Sequence, residues 1–293
     1  MRFFTYLSDA GDGAPAAALG AWQQGRPVGL PPGHRAAVAG GLLQLLQGGA
    51  EAMAQADQLF ARHGVPLDAE TLRFLPPVPV PPKILCIGLN YRDHTKESGF
   101  EQPAHPTVFA RFASSLAAHG QAIVRPDCSE QLDFEGELVL FIGKGGRKIA
   151  PERALEHVAG YAVGNEASVR DYQFKSSQWT LGKNFDGTAA VGPLFVSAEE
   201  LPPGARGLKL QTRLNGETVQ SAWTDQMVFD IPEILACISE AMTLEPGTVI
   251  FTGTPAGVGL GRNPPLWMKP GDVAEVEVEG LGRLVNPIAA EVA

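Results

Sequence analysis

The sequence predicts a mixed α+β protein in which β-structure dominates, and three observations support this fold class. The 293 residues include 34 glycines and 24 prolines, a composition typical of a chain with many turns. After residue 83, short apolar runs alternate with turn signals. Few segments have the length and apolar spacing of a substantial helix. We therefore expect one large β-rich domain with a smaller attachment.

The first 72 residues differ in composition from the rest of the chain. Residues 1–7, "MRFFTYL", predict a short strand, and residues 34–64, rich in Ala, Leu and Gln, predict a helix despite Gly-Gly breaks. Residues 74–83, "FLPPVPVPPK", contain five prolines and predict an extended linker. We therefore assign residues 1–72 to a small N-terminal domain and residues 73–293 to a larger domain.

The larger domain contains several strand signals and one clear helix. Residues 83–91 predict a buried strand that runs into a loop, and residues 157–168 predict another strand. Residues 208–220 contain Asn-Gly between two strand-like runs, which is the strongest short hairpin signal. Residues 231–244 predict a helix, and residues 272–288 alternate strictly and turn back at Gly-Leu-Gly.

Charge and cysteine content exclude several classes of protein. The formal net charge is −9, which argues against a nucleic-acid partner because phosphate binding needs clustered Lys and Arg. Three scattered cysteines form neither a disulfide framework nor a zinc motif. The N-terminal residues lack the apolar core of a signal peptide, and no apolar run approaches the roughly 18 residues of a membrane span. We therefore expect a cytoplasmic protein with no membrane segment.

Three acids crowd the start of the strand-like run at residues 131–143, "QLDFEGELVLFIG". Alternate side chains of a strand share a face, so Asp133, Glu135 and Glu137 are expected on one side. Neighbouring carboxylates of that set would lie about 6.6 Å apart and repel by about 2.5 kcal/mol at an effective dielectric near 20. The repulsion leaves two interpretations, a solvated edge-strand face or a site for a hard divalent cation such as Mg²⁺, Mn²⁺ or Ca²⁺.

Five motifs in fixed order make the chain similar to the fumarylacetoacetate hydrolase family over roughly residues 80–287. They are "GLNYRDHTKE", "DFEGEL", "GNEASVRDYQ", "GKNFDG" and "FTGTPAGVG", beginning at residues 88, 133, 164, 182 and 251. The resemblance implies a β-sandwich roll of mixed sheets, preceded here by a small N-terminal α/β domain. The strings "NEASVRDYQ" and "GKNFDG" look closest to the bacterial catabolic members of the family. This likeness implies a role in aromatic catabolism.

The resemblance implies a metal site made by Glu135, Glu137 and Glu166. The commonest family pattern has Asp at the third position, where this chain has Glu166 with one more methylene. Mg²⁺ or Mn²⁺ is the expected ion, with Ca²⁺ as a further candidate. The crowded acids would then be neutralised by the metal.

The resemblance also implies roles around the metal. His94 and Glu97 are three residues apart, so one helical turn would bring them together as a water-activating dyad. Lys183 would stabilise an oxyanion. The residues expected to hold the substrate or brace the site are Tyr91, Arg170, Gln173 and Thr254, with Asp186 as a further candidate behind them. Residues 90–106 carry the dyad in a polar, turn-prone stretch and predict a mobile lid.

The expected activity is metal-dependent hydrolysis of a C–C bond in an acylpyruvate-like β-diketo acid. Two alternatives use the same enolate chemistry: isomerisation of a 2-hydroxy-dienoate and decarboxylation of a 2-oxo acid. A non-catalytic metal-binding protein is the alternative from another class, although it would need neither Lys183 nor His94. The expected partners are a small dicarbonyl or 2-oxo acid and a second copy of the chain in a homodimer.

Overall fold

The computed structural model describes residues 1–8 and 15–291, and its largest feature is a twelve-stranded mixed sheet. The strands are β1 Arg2–Ser8, β2 Ala16–Gln23, β3 Arg26–Gly29, β4 Val65–Pro66, β5 Phe74–Leu75, β6 Ile84–Gly88, β7 Thr107–Arg111, β8 Leu116–Ala117, β9 Ile123–Arg125, β10 Leu132–Asp133, β11 Gly136–Ile142, β12 Val158–Glu166, β13 Ser168–Val169, β14 Ala189–Ser197, β15 Lys209–Leu214, β16 Glu217–Trp223, β17 Val249–Phe251, β18 Val273–Val278 and β19 Gly282–Ala290.

The helices are few and mostly short, as the composition predicts. They are α1 Pro32–Arg35, α2 Gly41–His63, α3 Arg92–Glu97, α4 Arg170–Gln173, α5 Thr180–Lys183 and α6 Ile231–Ala241. The first Gly-Gly pair ends the helical stretch before α2, and Gly49 of the second pair kinks α2 with a φ of 72°. Helix α6 begins with a capping box between Asp230 and Glu233. None of the helices described in residues 1–8 and 15–291 is long and apolar enough to cross a membrane.

The sheets confirm the predicted α+β class rich in β-structure. The large sheet has the order β4-β3-β2-β1-β14-β12-β11-β17-β6-β7, with β5 beside β1 and β8 beside β14. A five-stranded sheet has the order β16-β15-β18-β19-β9, and β10 pairs with β13. The large sheet is mixed, because β17 runs parallel to β6 while β11 and β12 are antiparallel. The predicted Asn-Gly hairpin is confirmed as β15 and β16.

Strand β11 is buried on both faces, which explains its unbroken apolar sequence. Leu138 and Leu140 join the core shared with the five-stranded sheet, whereas Val139 and Phe141 join the core under α2. Side chains two apart therefore share a face, as the sequence predicts. Glu137 lies on the Val139 side, because an added Cβ at Gly136 would meet Thr212 of the five-stranded sheet.

The N-terminal segment extends the large sheet. Strand β1 pairs with β14, while β2, β3 and β4 follow outward from it. Helix α2 packs on β1 and β2, where its buried Phe60 lies 6.0 Å from the ring of Phe3. The proline-rich stretch follows β5 with bends at residues 77–80, and the Thr5 hydroxyl donates to the carbonyl of Pro77 within it. The boundary at residues 72 and 73 stays a prediction.

Candidate metal centre and active site

Three glutamates meet where β11 begins and β12 ends. Glu135 precedes β11, Glu137 lies within it, and Glu166 is the last residue of β12, its antiparallel neighbour. The amide of Glu166 donates to the carbonyl of Glu135 at 2.8 Å, which fixes the register at this edge. Each side chain offers a carboxylate oxygen, and these atoms lie within 4.8 Å of one another. The structure thus brings together the three residues predicted as metal ligands.

Three buried cations compensate most of this negative charge. Lys183 Nζ lies 2.7 Å from Glu135 and 2.9 Å from Glu166. Arg170 Nη2 lies 2.5 Å from Glu135, and Arg111 Nε lies 2.7 Å from Glu166. Sequence analysis missed Arg111, although a charged residue in the apolar strand "TVFAR" is a usable signal. Arg111 also donates to the carbonyl of Ala167, so it fixes the end of β12.

The position of Asp133 differs from the expectation that three equivalent acids crowd one face of the strand. Strand pairing breaks between β10 and β11, and Asp133 is absent from the cluster of possible ligands among the described residues. Its carboxylate receives Arg170 Nε at 2.8 Å and the amides of Gly259 and Leu260 at 2.7 and 3.0 Å. The amide of Phe134 donates to it as well, at 2.8 Å, so an internal cation and three amides stabilise this acid, and it needs no metal.

Glu137 is the acid that no described cation pairs with. It accepts one hydrogen bond, from the amide of Gly253 at 2.8 Å. Burial, followed by the charges of Glu166 and Glu135, raises the pKa of Glu137 well above its usual value. By contrast, although burial opposes ionisation, Arg170 and Lys183 hold the pKa of Glu135 well below its usual value.

The donor set fits a hard divalent cation. Four buried carboxyl groups at residues 133, 135, 137 and 166 face three buried cations at residues 111, 170 and 183, so Glu137 has no cationic partner and its raised pKa disfavours ionisation until a cation binds. Oxygen ligands that carry net negative charge are those that Mg²⁺, Mn²⁺ and Ca²⁺ prefer. Glu135, Glu137 and Glu166 would hold such an ion.

The glycine-rich loop after β17 positions three of the functional acids. Its amides at Gly253, Gly257 and Gly259 donate to Glu137, Glu97 and Asp133 respectively. Gly253 and Gly257 have φ angles of 106° and 105°, which L side chains rarely adopt. An added Cβ at Gly257 would also lie 2.2 Å from the carbonyl of Val219. This loop thus supplies backbone N–H donors to the three acids, and its glycines permit it to pack closely against neighbouring backbone, such as that of Val219.

Helix α3 carries His94 and Glu97 on one face, as predicted. His94 Nδ1 and Glu97 Oε2 are 3.7 Å apart, an ion-pair distance longer than a hydrogen bond. Burial opposes ionisation of Glu97, but the adjacent His94 and the hydrogen bond from the Gly257 amide outweigh it and lower the pKa of this carboxyl. An ionised Glu97 beside Nδ1 favours a proton there and leaves Nε2 as the acceptor. His94 lines the pocket that also contains the three glutamates.

The remaining predicted residues divide into two groups. Gln173 and Thr254 line the pocket, and each is braced, since Gln173 accepts from Arg170 and Thr254 donates to the Gly136 carbonyl. Tyr91 is buried outside the pocket wall, and no described residue is a hydrogen-bond partner for its hydroxyl. Asp186 is exposed away from the pocket. Substrate contacts by these residues stay predictions.

Two buried side-chain amides, to which the sequence assigns no separate role, hold the site together. Gln220, on the hairpin strand β16, accepts from the Gly136 amide at 2.9 Å and donates to the Thr254 hydroxyl at 2.9 Å. Asn90 donates to the carbonyl of Thr252 and pairs with both backbone groups of Phe229. Gln220 stands in no motif, so only the three-dimensional contacts reveal it, whereas Asn90 lies in the motif "GLNYRDHTKE" and the fold adds its contacts.

Comparison with known proteins decides the family. The family profile described as "Fumarylacetoacetate (FAA) hydrolase C-terminal" matches residues 83–289. The chain belongs to the fumarylacetoacetate hydrolase family. Oxaloacetate tautomerase FAHD2A, mitochondrial, of Homo sapiens is 39% identical over 249 residues, which cover 84% of this chain and 79% of the relative.

Solved structures of the family share the whole fold. A fumarylacetoacetate hydrolase from Exiguobacterium antarcticum is 36% identical with a TM-score of 0.85, covering 99% of this chain and 100% of that one. A maleylpyruvate hydrolase from Sphingobium sp. SYK-6, solved with manganese(II) and pyruvate, is 25% identical with a TM-score of 0.80. That match covers both chains completely. This chain is thus a member of an enzyme family whose named activities include tautomerisation and hydrolysis.

The family pocket is narrow in this chain. Its volume is about 20 Å³, which is room for about one water molecule. Phe100, Phe174 and Trp179 line it together with the charged residues. Phe100 follows α3 within residues 90–106, and its side chain is exposed. A substrate therefore needs movement of residues around the pocket to enter, and the lid at residues 90–106 stays a prediction.

We expect hydrogen exchange in residues 90–106 to slow when oxalate binds together with Mg²⁺. The segment packs little apolar surface beyond α3, so it opens easily, and a bound ligand would hold it closed. Exchange mass spectrometry on the segment measures the effect, with the amides of α6 as an internal control. Unchanged exchange with oxalate binding proven by calorimetry would contradict the lid.

Proposed function

We propose that this protein is a divalent-metal-dependent enzyme that interconverts the enol and keto forms of a 2-oxo acid. The observation that carries the proposal is one pocket that holds three buried glutamates, a lysine between two of them, and His94. The 39% identity to a protein named oxaloacetate tautomerase supports this choice among the family reactions. Tautomerisation is one of the simplest outcomes of enolate chemistry, because it requires only movement of protons.

The proposed metal ligands are Glu135, Glu137 and Glu166. A bound Mg²⁺ or Mn²⁺ would supply Lewis acidity, which favours enolate charge on a 2-oxo acid. Glu166 is one methylene longer than the common Asp, and Arg111 takes one of its oxygens. The other oxygen accepts a hydrogen bond from Lys183. The longer side chain of Glu166 is therefore held by two cations rather than left in open space. The manganese in the named hydrolase structure supports a divalent ion here.

The chain supplies a base and a cation for the proton transfer. His94 Nε2 would take the proton from C3 of the keto acid, while Glu97 holds the other ring nitrogen in its protonated form. Lys183 has three N–H donors, of which two point to glutamates, so the third would donate to the enolate oxygen. Arg170 forms ion pairs with Asp133 and Glu135 and donates to Gln173, so it would brace this arrangement.

Hydrolysis of a C–C bond, the activity expected from the sequence, is the second candidate. The observation favouring it is the His94–Glu97 pair, which could activate water as well as move a proton. The 36% identity to a protein named fumarylacetoacetate hydrolase supports it too. A substrate for this reaction is a β-diketo acid, and one proton of the attacking water would pass to His94.

A substrate panel separates the two reactions. With Mg²⁺ or Mn²⁺ present, we expect the protein to accelerate loss of the enol absorbance of freshly dissolved 2-oxo acids, and to exchange C3 protons for deuterium in NMR spectra. Acylpyruvates should give no second carboxylic acid product by chromatography. Rapid formation of two products from an acylpyruvate, without enol–keto acceleration, would establish hydrolysis instead.

Three expectations from the sequence are carried forward as proposals. We propose a homodimer, and light scattering would contradict it by reporting the 31.0 kDa mass of one chain. A role in aromatic catabolism rests on the resemblance of the sequence strings. Cytoplasmic location also stays a proposal, since the human relative is named mitochondrial.

A further inference from the structure

The charged and the apolar residues of the pocket separate by depth. Glu135, Glu137, Glu166, Arg170 and Lys183 are each at most 3% exposed. Phe100 and Phe174, which line the same pocket, are 39% and 47% exposed. Because exposure increases toward solvent, the ionic groups form the inner end, and large aromatic side chains form the mouth.

Trp179 gives this mouth one fixed wall. Its ring lies 5.4 Å from Phe109 and 6.3 Å from Phe100, both close to edge-to-face. An added Cβ at Gly88 would come within 2.4 Å of the indole, so the ring rests directly on the backbone of β6. Phe100 follows α3, and Phe174 follows α4, so both rings stand on short connecting segments beside a rigid one.

Among the described residues that line the pocket, the charged side chains all belong to the buried inner end, so none of them stands at the mouth to receive an anion. Arg170 and Lys183 are paired with the carboxylates there, and the third buried basic residue, His94, lies beside Glu97. Lys175 follows Phe174 directly, but its Nζ lies 3.1 Å from the ring centre of Tyr172. A second carboxylate on the substrate would therefore meet phenyl and indole surfaces in place of water, which costs free energy.

From this arrangement we infer that the pocket selects 2-oxo acids whose far end, beyond C3, is an apolar planar group rather than a second carboxylate. The inference rests on the proposed function for the inner end and assigns Phe100, Phe174 and Trp179 as specificity-determining residues. An aryl group would stack or make edge contacts with these rings and shield the inner end from water. Oxaloacetate, whose far end is a carboxylate, would be a poor substrate.

Two unreactive ligands test the inference by binding alone. N-phenyloxamate and N-oxalylglycine share the same chelating head and differ in the far end, which is phenyl in one and carboxylate in the other. Calorimetry on Mn²⁺-loaded protein measures both. We expect N-phenyloxamate to bind at least about tenfold more tightly, the upper range of one aromatic pair contact, since several rings contribute.

Substitutions at the mouth should change this affinity ratio. Phe100→Ala and Phe174→Ala should each reduce the preference for N-phenyloxamate by roughly 3- to 10-fold. Phe174→Arg should raise the affinity for N-oxalylglycine and shrink the preference further. Phe112→Ala is the matched control, because Phe112 is also an exposed phenylalanine, at 60%, but lies outside the pocket.

The outcomes separate this inference from the proposed function. Tighter binding of N-oxalylglycine, an unchanged ratio in both alanine variants, or no binding of either ligand would overturn the inference. A phenyl preference in a protein that accelerates no tautomerisation would support the inference and refute the proposed reaction. A phenyl preference together with faster turnover of phenylpyruvate than of oxaloacetate supports both.

Discussion

Glu137→Gln is expected to abolish metal binding while leaving the metal-free protein at least as stable as wild type. The substitution removes one of three carboxylates that can hold the ion. Changing residues that only support metal ligands costs 10- to 100-fold in affinity, so losing a ligand should cost roughly 100-fold or more. Calorimetry with Mn²⁺ measures the affinity, and activity should fall with it.

The stability part of this prediction follows from the ion pairs. Glu137 has a single hydrogen bond, from Gly253, and no cationic partner among the described residues. A neutral amide of the same shape can keep that hydrogen bond and, like the neutral carboxyl that the raised pKa favours, it buries no unpaired charge. Thermal unfolding in the presence of a chelator should therefore show a midpoint equal to or above that of wild type.

Glu135→Gln provides the contrasting variant. It should also lose the metal, but it leaves Arg170 and Lys183 each short of one carboxylate. Removing one partner of a buried ion pair costs about 3–5 kcal/mol, and the retained acceptor oxygen places this variant at the lower end. Glu156→Gln is the surface control, because its exposed pairs with Lys144 and Arg153 lie outside the pocket. Equal destabilisation of the metal-free Glu135 and Glu137 variants would contradict the assigned charge pattern.

The meeting of the three glutamates follows from local strand geometry together with the family resemblance. Glu135 and Glu137 alternate at the start of β11, and Glu166, which the resemblance adds to the set, ends the neighbouring strand. The same argument fails for Asp133, because the strand breaks after it and a non-local cation, Arg170, replaces the metal as its partner. Strand periodicity gives a direction for each side chain but not the partner that arrives from elsewhere.

Arg111 and Gln220 show the limit of prediction from motifs. Arg111 reaches Glu166 across 55 positions of sequence, and Gln220 reaches Gly136 across 84. Each makes the contact only because the sheet order places distant strands together. The kink of α2 at Gly49, in contrast, can be predicted from a local Gly-Gly pair. Local chemistry can thus be read from the chain, while support from distant strands requires the fold.

His94→Gln and Glu97→Gln are expected to lower kcat by about 10²- to 10⁴-fold, the usual contribution of a positioned general base. Metal affinity should hardly change, because neither residue belongs to the glutamate cluster. Glutamine at position 97 can still accept from the Gly257 amide, so the loop should keep its place and only the charge beside His94 is lost. His105→Gln is the matched control, an exposed histidine of the same segment that is absent from the pocket wall.

The reaction step that slows in the His94 and Glu97 variants distinguishes tautomerisation, hydrolysis and decarboxylation. In a tautomerase, both variants should slow enol loss and C3 deuterium exchange together, because one proton transfer underlies both signals. In a hydrolase, they should slow release of the second acid from an acylpyruvate, because His94 must activate water. Decarboxylation needs no activated water to break its bond. If His94→Gln keeps most of the rate of CO₂ release from oxaloacetate while acylpyruvates stay inert, His94 is not the base, and decarboxylation replaces both proposed reactions.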